Sequence, residues 1–180
     1  MRRSSEETKA VILAAARERF AESGYQAATI RAIAADANID PSMVMRYFGS
    51  KDQLFAAAAE FDLQFPDLSD VPRPELGAAL VAAFLRRWTQ DEGLIVLLRS
   101  ATTNDEAAER MRGIFAAQLL PAIARLNAAD ADRCAGLIGT QMLGMALCRF
   151  VLKLPPVVEM TDDELVRWLG PTLQRYVDGS

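Results

Sequence analysis

Along the whole chain the apolar positions recur every three or four residues, the spacing that gathers them on one face of an α-helix, and no stretch alternates apolar with polar as a half-buried strand does. "TKAVILAAARERFAES" sets Ile12, Leu13, Ala16 and Phe20 on one stripe. Ser4 and Glu7 form a capping box before it, and Gly24 is placed to stop it. Thr29 opens a second helix, "IRAIAADA", which Asn38 ends. Asp40 and Pro41 then start a short third helix that reaches about Phe48, and Ser50 caps a fourth, "KDQLFAAAAEFDL". In "FPDLSDVPRPE" three of the eight prolines fall within nine residues, marking a joint. Longer helical patterns follow at roughly 74–90, 93–103, 105–127, 131–153 and 162–177, the last entered through a Thr161/Glu164 capping box. The pattern predicts an all-α fold: an N-terminal three-helix unit over residues 1–52 with a connecting helix to about 65, then a larger helical domain over 66–180.

The second and third helices carry a more particular spacing. Ile33, Ala34 and Ala37 face inward, and Ala34 is small enough for another helix to cross closely. Asn38 follows four residues later, a residue type that tolerates the left-handed turn such a crossing needs. Ile39 and Val44 come one and six residues beyond it. This is the register of a helix-turn-helix. Val44 and Phe48, four apart, anchor the third helix, which leaves Ser42, Met43, Met45, Arg46 and Tyr47 free of that duty. Met43 and Met45 are open to either packing inward or facing out, and Tyr47 to packing on the first helix.

Charge and composition narrow the chemistry. With 180 residues, 51% of them hydrophobic, there is material for one domain or for a small one joined to a larger. The net charge is −4, yet residues 1–52 carry eight Lys/Arg against seven Asp/Glu, a balance of +1, and the remainder twelve against seventeen. The N-terminal third is thus the more basic part. There is no histidine, which removes Ser-His-Asp and Cys-His catalysis and most zinc sites. No phosphate-cradling glycine loop or dinucleotide fingerprint occurs, so neither an enzyme nor a cofactor nor a metal is expected. "MRRSSEETKA" does not read as a secretory leader, and "LIGTQMLGMALCRFVLKL" is interrupted by Thr140, Gln141 and Arg149, so a cytoplasmic protein without a membrane span is expected. Cys134 and Cys148 on one helix would lie roughly 21 Å apart at 1.5 Å per residue, too far for a disulfide, and read as small buried apolar residues.

The stretch "TIRAIAADANIDPSMVMRYFGSKDQLF", extended upstream through "ILAAARERFAESGYQAATI" with Phe20, Gly24, Tyr25 and Thr29, resembles the DNA-binding domain of the TetR/AcrR family of bacterial transcriptional regulators over about residues 8–60. The resemblance implies that Thr29 and Arg31 lie near DNA at the start of the second helix. It places Pro41, Ser42, Met43, Met45 and Arg46 on the recognition-helix face, and Tyr47 and Lys51 at phosphate-contacting positions. The chain departs from the family pattern in three places: Asn38 stands for a common Gly, Asp40 for a common Ser or Thr, and Met45 for a frequent Tyr, which removes a hydroxyl donor.

The family further implies that the larger domain binds a small molecule and pairs two copies. "CAGLIGTQMLGMALCRFVLKL" is apolar around most of its circumference, with Gly136 and Gly139 permitting close approach. Leu165, Trp168, Leu169 and Leu173 recur at helical spacing, and the two helices together are the expected homodimer interface. Phe84, Trp88, Met111, Phe115, Gln141, Met142 and Met145 are the candidates for ligand contact, each equally a candidate for plain core. The expectation is a homodimeric regulator, acting as a repressor on a palindromic double-stranded DNA operator and released by a small uncharged or cationic apolar effector. The alternative is a dimeric helical ligand-binding or protein-interaction module whose DNA binding has decayed.

Overall fold

The third short helix forms as the sequence dictates. In the computed structural model, which describes residues 4–90, 93–127 and 129–179, it is Pro41–Phe48 (α3), preceded by Ser5–Ala27 (α1) and Ile30–Asp36 (α2) and followed by Lys51–Ala58 (α4). Then come a 3₁₀ turn at Arg73–Glu75 and the helices Leu76–Gln90 (α5), Gly93–Ser100 (α6), Asp105–Ile114 (α7), Leu120–Leu126 (α8), Ala131–Ala146 (α9), Pro155–Val158 (α10) and Asp162–Asp178 (α11). Both expected capping boxes are present, Ser4 with Glu7 and Thr161 with Glu164. Gly24, at φ +72°, breaks α1 one turn before its end.

The chain divides into two compact units. The first is Met1–Phe61 together with Glu92–Ala108, so the chain returns to it after α5. Its core is Ile12, Ala16, Phe20, Ile33, Ala34, Val44, Leu54 and Phe55, all fully buried. The larger of these, Ile12, Phe20, Ile33, Val44, Leu54 and Phe55, contribute roughly 1.5–3 kcal/mol each on leaving water. Phe20 and Tyr25 both pack edge-on against Phe55, with ring centroids 5.1 and 5.0 Å away. α6 packs on α1, burying Leu94, Val96 and Leu97, and the Arg99 guanidinium donates to the Glu22 carbonyl at 3.1 Å.

The second unit is Asp62–Asp91 with Glu109–Ser180, and its spine is the packing of α11 along α5. The helices touch backbone to backbone. A Cβ on Gly77 would stand 2.2 Å from the Gly170 carbonyl oxygen and 2.5 Å from the Gln174 nitrogen. Gln174 then closes the start of α5, its Oε1 accepting from the Gly77 N–H at 2.8 Å and its Nε2 donating to the Arg73 carbonyl at 2.9 Å.

Several elements depart from the sequence reading. The fourth helix stops at Ala58 instead of running to residue 63. Beyond it the chain is extended, burying Phe61 and Leu63 with the two-residue period of a strand, while Asp62 Oδ1 accepts from the Gln64 N–H and Gln64 takes φ +47°. The run 105–127 is continuous but holds a π turn at Phe115–Leu119, just before Pro121, which has no N–H to offer Ala117 and forces the wider bonding. A second π turn, Leu147–Val151, ends the α9 run, and Lys153 at φ +51° closes it. Ala131–Val151 is, by length and composition, apolar enough to cross a membrane, but here Ala135, Ile138, Met142 and Ala146 bury one side of it in the second unit. Its Arg149 donates to the carbonyls of Val157 and Met160 and pairs with Asp162, which fixes the short α10 between the two long helices. Both cysteines are free; Cys134 is buried and its thiol donates to the Tyr176 carbonyl, while Cys148 is half-buried.

Candidate nucleic-acid interface

α2 begins at Thr29, whose extended backbone lets its Oγ1 accept from the Ala32 N–H at 3.1 Å. It ends in a turn centred on Asn38, at φ +52°, where the Ile39 N–H returns to the Ala34 carbonyl at 2.9 Å. That left-handed residue bends the chain sharply enough for α3 to cross α2 over Ala34. Asp40 caps α3, its Oδ1 accepting from the Ser42 N–H at 2.8 Å and from the Ser42 hydroxyl. Those bonds, the hydroxyl's first, hold the Asp40 carboxyl below the ordinary carboxylate range. The negative charge that stands where the family pattern has a hydroxyl is therefore spent on the helix's own N-terminus. Val44 and Phe48 pin the inner side of α3, and Gly49 ends it at φ +77°.

With the inner side fixed, the outer side follows. Pro41, Ser42, Met45 and Arg46 are exposed, as are Thr29 and Arg31 at the start of α2. Met45 is 44% exposed, so of the two methionines it is the one that faces solvent; Met43 and Tyr47 are half-buried along the edge of the same helix. The helix thus offers a cation, a thioether and a hydroxyl on its first two turns, all on one side of a rigid frame.

The frame is tied to α1 twice. Arg19 and Asp36 form a two-bond ion pair at 2.7 and 2.8 Å. At the other end Tyr25 donates its hydroxyl to Asp52, and Lys51 lays its ammonium 4.4 Å from the centre of the Tyr25 ring, with the Gln26 carbonyl at 3.5 Å. The bond to Asp52 raises the Tyr25 pKa to about 12, and burial lowers that of Lys51. Lys51, expected as a bare phosphate contact, is in fact oriented by Tyr25. The sequence pointed to Tyr25 as part of the motif but not to this task, because ring and ammonium are brought together by the break at Gly24 and not by any helical spacing.

The candidates in the second unit fall into three groups. Phe84 and Trp88 of α5 are buried beside Phe150, whose ring stacks on the Trp88 indole at 5.5 Å, and they line a small cavity under Leu63, Phe65 and Pro66. Gln141 and Met145 of α9 instead share an open groove of about 390 Å³ with Leu165, Trp168 and Leu169 of α11, so the expected ligand residues do not surround one cavity. Met142 is fully buried, and Met111 and Phe115 are half-buried on the α7 run. Among the expected interface residues, Gly136 has open space before it, Trp168 is 66% exposed and Leu169 lines the groove. Gly139, Leu165 and Leu173 are buried within the chain: a Cβ on Gly139 would meet Leu119 at 3.3 Å and Phe115 at 3.8 Å, and Leu165 and Leu173 lie on the buried side of α11. A helix apolar all round gives no indication from sequence of which side its own chain occupies.

Residues 74–177 match the family described as "Tetracyclin repressor-like, C-terminal domain", and residues 12–58 match "Bacterial regulatory proteins, tetR family". The chain belongs to the TetR family. Both matched families are families of bacterial regulators. Over 55 residues it is 47% identical to an HTH-type transcriptional repressor of Mycobacterium tuberculosis and to an HTH-type transcriptional regulator of Mycobacterium bovis. The matched stretch is 31% of this chain and 29% of each of those proteins. A TetR-family regulator from Streptomyces coelicolor superposes with a TM-score of 0.62 at 27% identity, covering 98% of both chains. A TetR-like transcriptional regulator from Rhodococcus sp. RHA1 shares the fold, with a TM-score of 0.75 at 22% identity over 99% of this chain and all of that one. Salmonella enterica GusR shares it too, at 0.69 and 20% over 98% and 96%.

Proposed function

We propose that this TetR-family regulator acts in the cytoplasm as a homodimeric repressor, reads a palindromic operator in double-stranded DNA through α3 of each copy, and is released by a small apolar effector held in the second unit. The observation that carries the DNA reading is the outer side of α3: Pro41, Ser42, Met45 and Arg46 exposed on a helix whose opposite side is locked by Val44 and Phe48. A helix held in this way reaches base edges with its first turns, where Arg46 fits a guanine and Met45 a thymine methyl. Thr29, Arg31, Met43, Tyr47 and Lys51 border that surface and suit the flanking sugar-phosphate, with Lys51 held in place by Tyr25. For the pairing of copies the support is the exposed Leu137 and Trp168 of α9 and α11, the open space before Gly136, and the open groove that Trp168 and Leu169 line. Repression is proposed because the Mycobacterium tuberculosis relative is a transcriptional repressor.

The test is binding of the purified chain to the promoter DNA flanking its own gene across a salt series, with footprinting and sedimentation equilibrium beside it. The expected result is a protected palindrome, two copies per site and affinity that falls steeply with salt. A dimer that binds duplex DNA no more tightly than an unrelated acidic protein would sink the operator reading and favour a helical module without DNA function.

A further inference from the structure

Trp88, which lines the cavity over α5, carries one polar atom that the rest of the fold does not use. The Trp88 side chain is 2% exposed, and among the described residues its indole N–H has no hydrogen-bond acceptor. Leaving such a donor unpaired is costly, and buried polar groups in native folds nearly always have a partner. The lining is mainly apolar: Phe84 lies 5.9 Å from the indole and Leu63, Phe65 and Pro66 form the roof, while the one cation of the lining, Arg87, donates to the Asp62 carbonyl; Phe150, outside the lining, stacks on the indole within 5° of parallel. The roof belongs to the extended stretch after α4. It is held by the Leu63 N–H donating to Gln118 at 2.7 Å and by the Arg87 guanidinium donating to the Asp62 carbonyl at 2.7 Å, both upstream of Phe65.

The geometry points to a binding site for a flat, uncharged aromatic molecule carrying a single hydrogen-bond acceptor, which takes the Trp88 N–H while its ring lies between Phe84 and the roof. The cavity is about 10 Å³, room for one water, so the ligand enters by lifting Phe65 and Pro66 while the anchors at Asp62 and Leu63 hold. This rests on the effector-controlled reading and adds the chemical class of the effector. The aromatic walls supply the affinity and the lone donor supplies the selection, because an analogue that lacks the acceptor leaves the N–H unpaired.

The test uses two probes of one shape, acetophenone and α-methylstyrene, which differ in a carbonyl oxygen against a methylene. Isothermal titration calorimetry of the full chain should show acetophenone binding about five- to tenfold more tightly. Trp88→Phe keeps an aromatic side chain, though a smaller one, and removes the donor; the two probes should then bind it equally, with folding confirmed by circular dichroism. Ala83→Leu, which narrows the cavity from α5, should abolish binding of both. Equal binding of the probes by the unaltered chain, a preference that survives Trp88→Phe, or no binding of either probe would each overturn the assignment. Release from DNA is measured separately: acetophenone binding without release would uphold the site and tell against effector control of the operator.

Discussion

Replacing Gly77 with alanine adds one methyl group at the tightest point of the second unit. An sp³ carbon needs about 3.5 Å from its neighbours, and the new Cβ would have 2.2 Å to the Gly170 carbonyl oxygen and 2.5 Å to the Gln174 nitrogen. Both neighbours are backbone, so no side chain can rotate aside, and α5 and α11 must part by about an ångström at their crossing. Overpacking of this kind costs about 1–3 kcal/mol. Parting the helices also stretches the two bonds that Gln174 makes to the start of α5, together worth about 1–2 kcal/mol more. Against this, alanine is the better helix former by up to about 1 kcal/mol, less in the first turn, where Gly77 sits. The clash wins, and the net loss is about 2–4 kcal/mol. For a chain of this length that is a fall in Tm of roughly 5–15 °C. Gly113→Ala is the internal control: it lies on α7 with nothing within 4 Å of its would-be Cβ, so it keeps only the helix gain and should stabilise by about 0.5–1 kcal/mol. Urea and thermal unfolding followed by circular dichroism, at one fixed protomer concentration, compare the pair. A Gly77→Ala protein as stable as the parent would show that the two helices are not in backbone contact.

Arg46→Ala should cost about 1–3 kcal/mol on the preferred operator and relax selection at one base pair, measured by binding to single-base operator variants; equal loss on every sequence would make Arg46 a phosphate contact. Trp168→Glu should shift sedimentation equilibrium toward monomer and weaken operator binding while leaving the melt nearly unchanged, since Trp168 is mostly exposed in the single chain. Tyr25 titrates at about 12 in the fold against an ordinary value near 10, so its neutral form stabilises the first unit below pH 10 and that contribution is lost as pH rises toward 12. Unfolding measured from pH 9 upward should show this loss in the parent and not in Tyr25→Phe.

The helices of the helix-turn-helix were legible because their signals are local. Thr29, Asp40, Pro41 and Ser50 act within one turn of where they stand, and the left-handed turn at Asn38 is a property of that residue type. What was not legible depends on partners far along the chain. Phe61 and Leu63 continue an alanine-rich helical pattern, yet they bury as an extended segment once Gln118 and Arg87 supply the bonds that hold it. Gly139 and Gly136 look alike in a helix apolar all round, and only the approach of Phe115 and Leu119 tells them apart. No local signal marks Gln174 for its task at the start of α5, which arises only when the glycines let the two backbones meet.

The return of the chain to its first unit bears on how such regulators can be recombined. An exchange of sensing modules made after Phe61 looks natural from the sequence, since the DNA-reading motif is complete by then and the proline-rich joint follows. Yet α6, encoded well past that joint, covers α1 with Leu94, Val96 and Leu97 and gives Glu22 its Arg99 donor. A hybrid cut at the joint would set a foreign α6 on that surface, or none. The portable DNA-reading piece is therefore discontinuous in the gene, and a working graft has to carry residues 93–108 along with the first sixty.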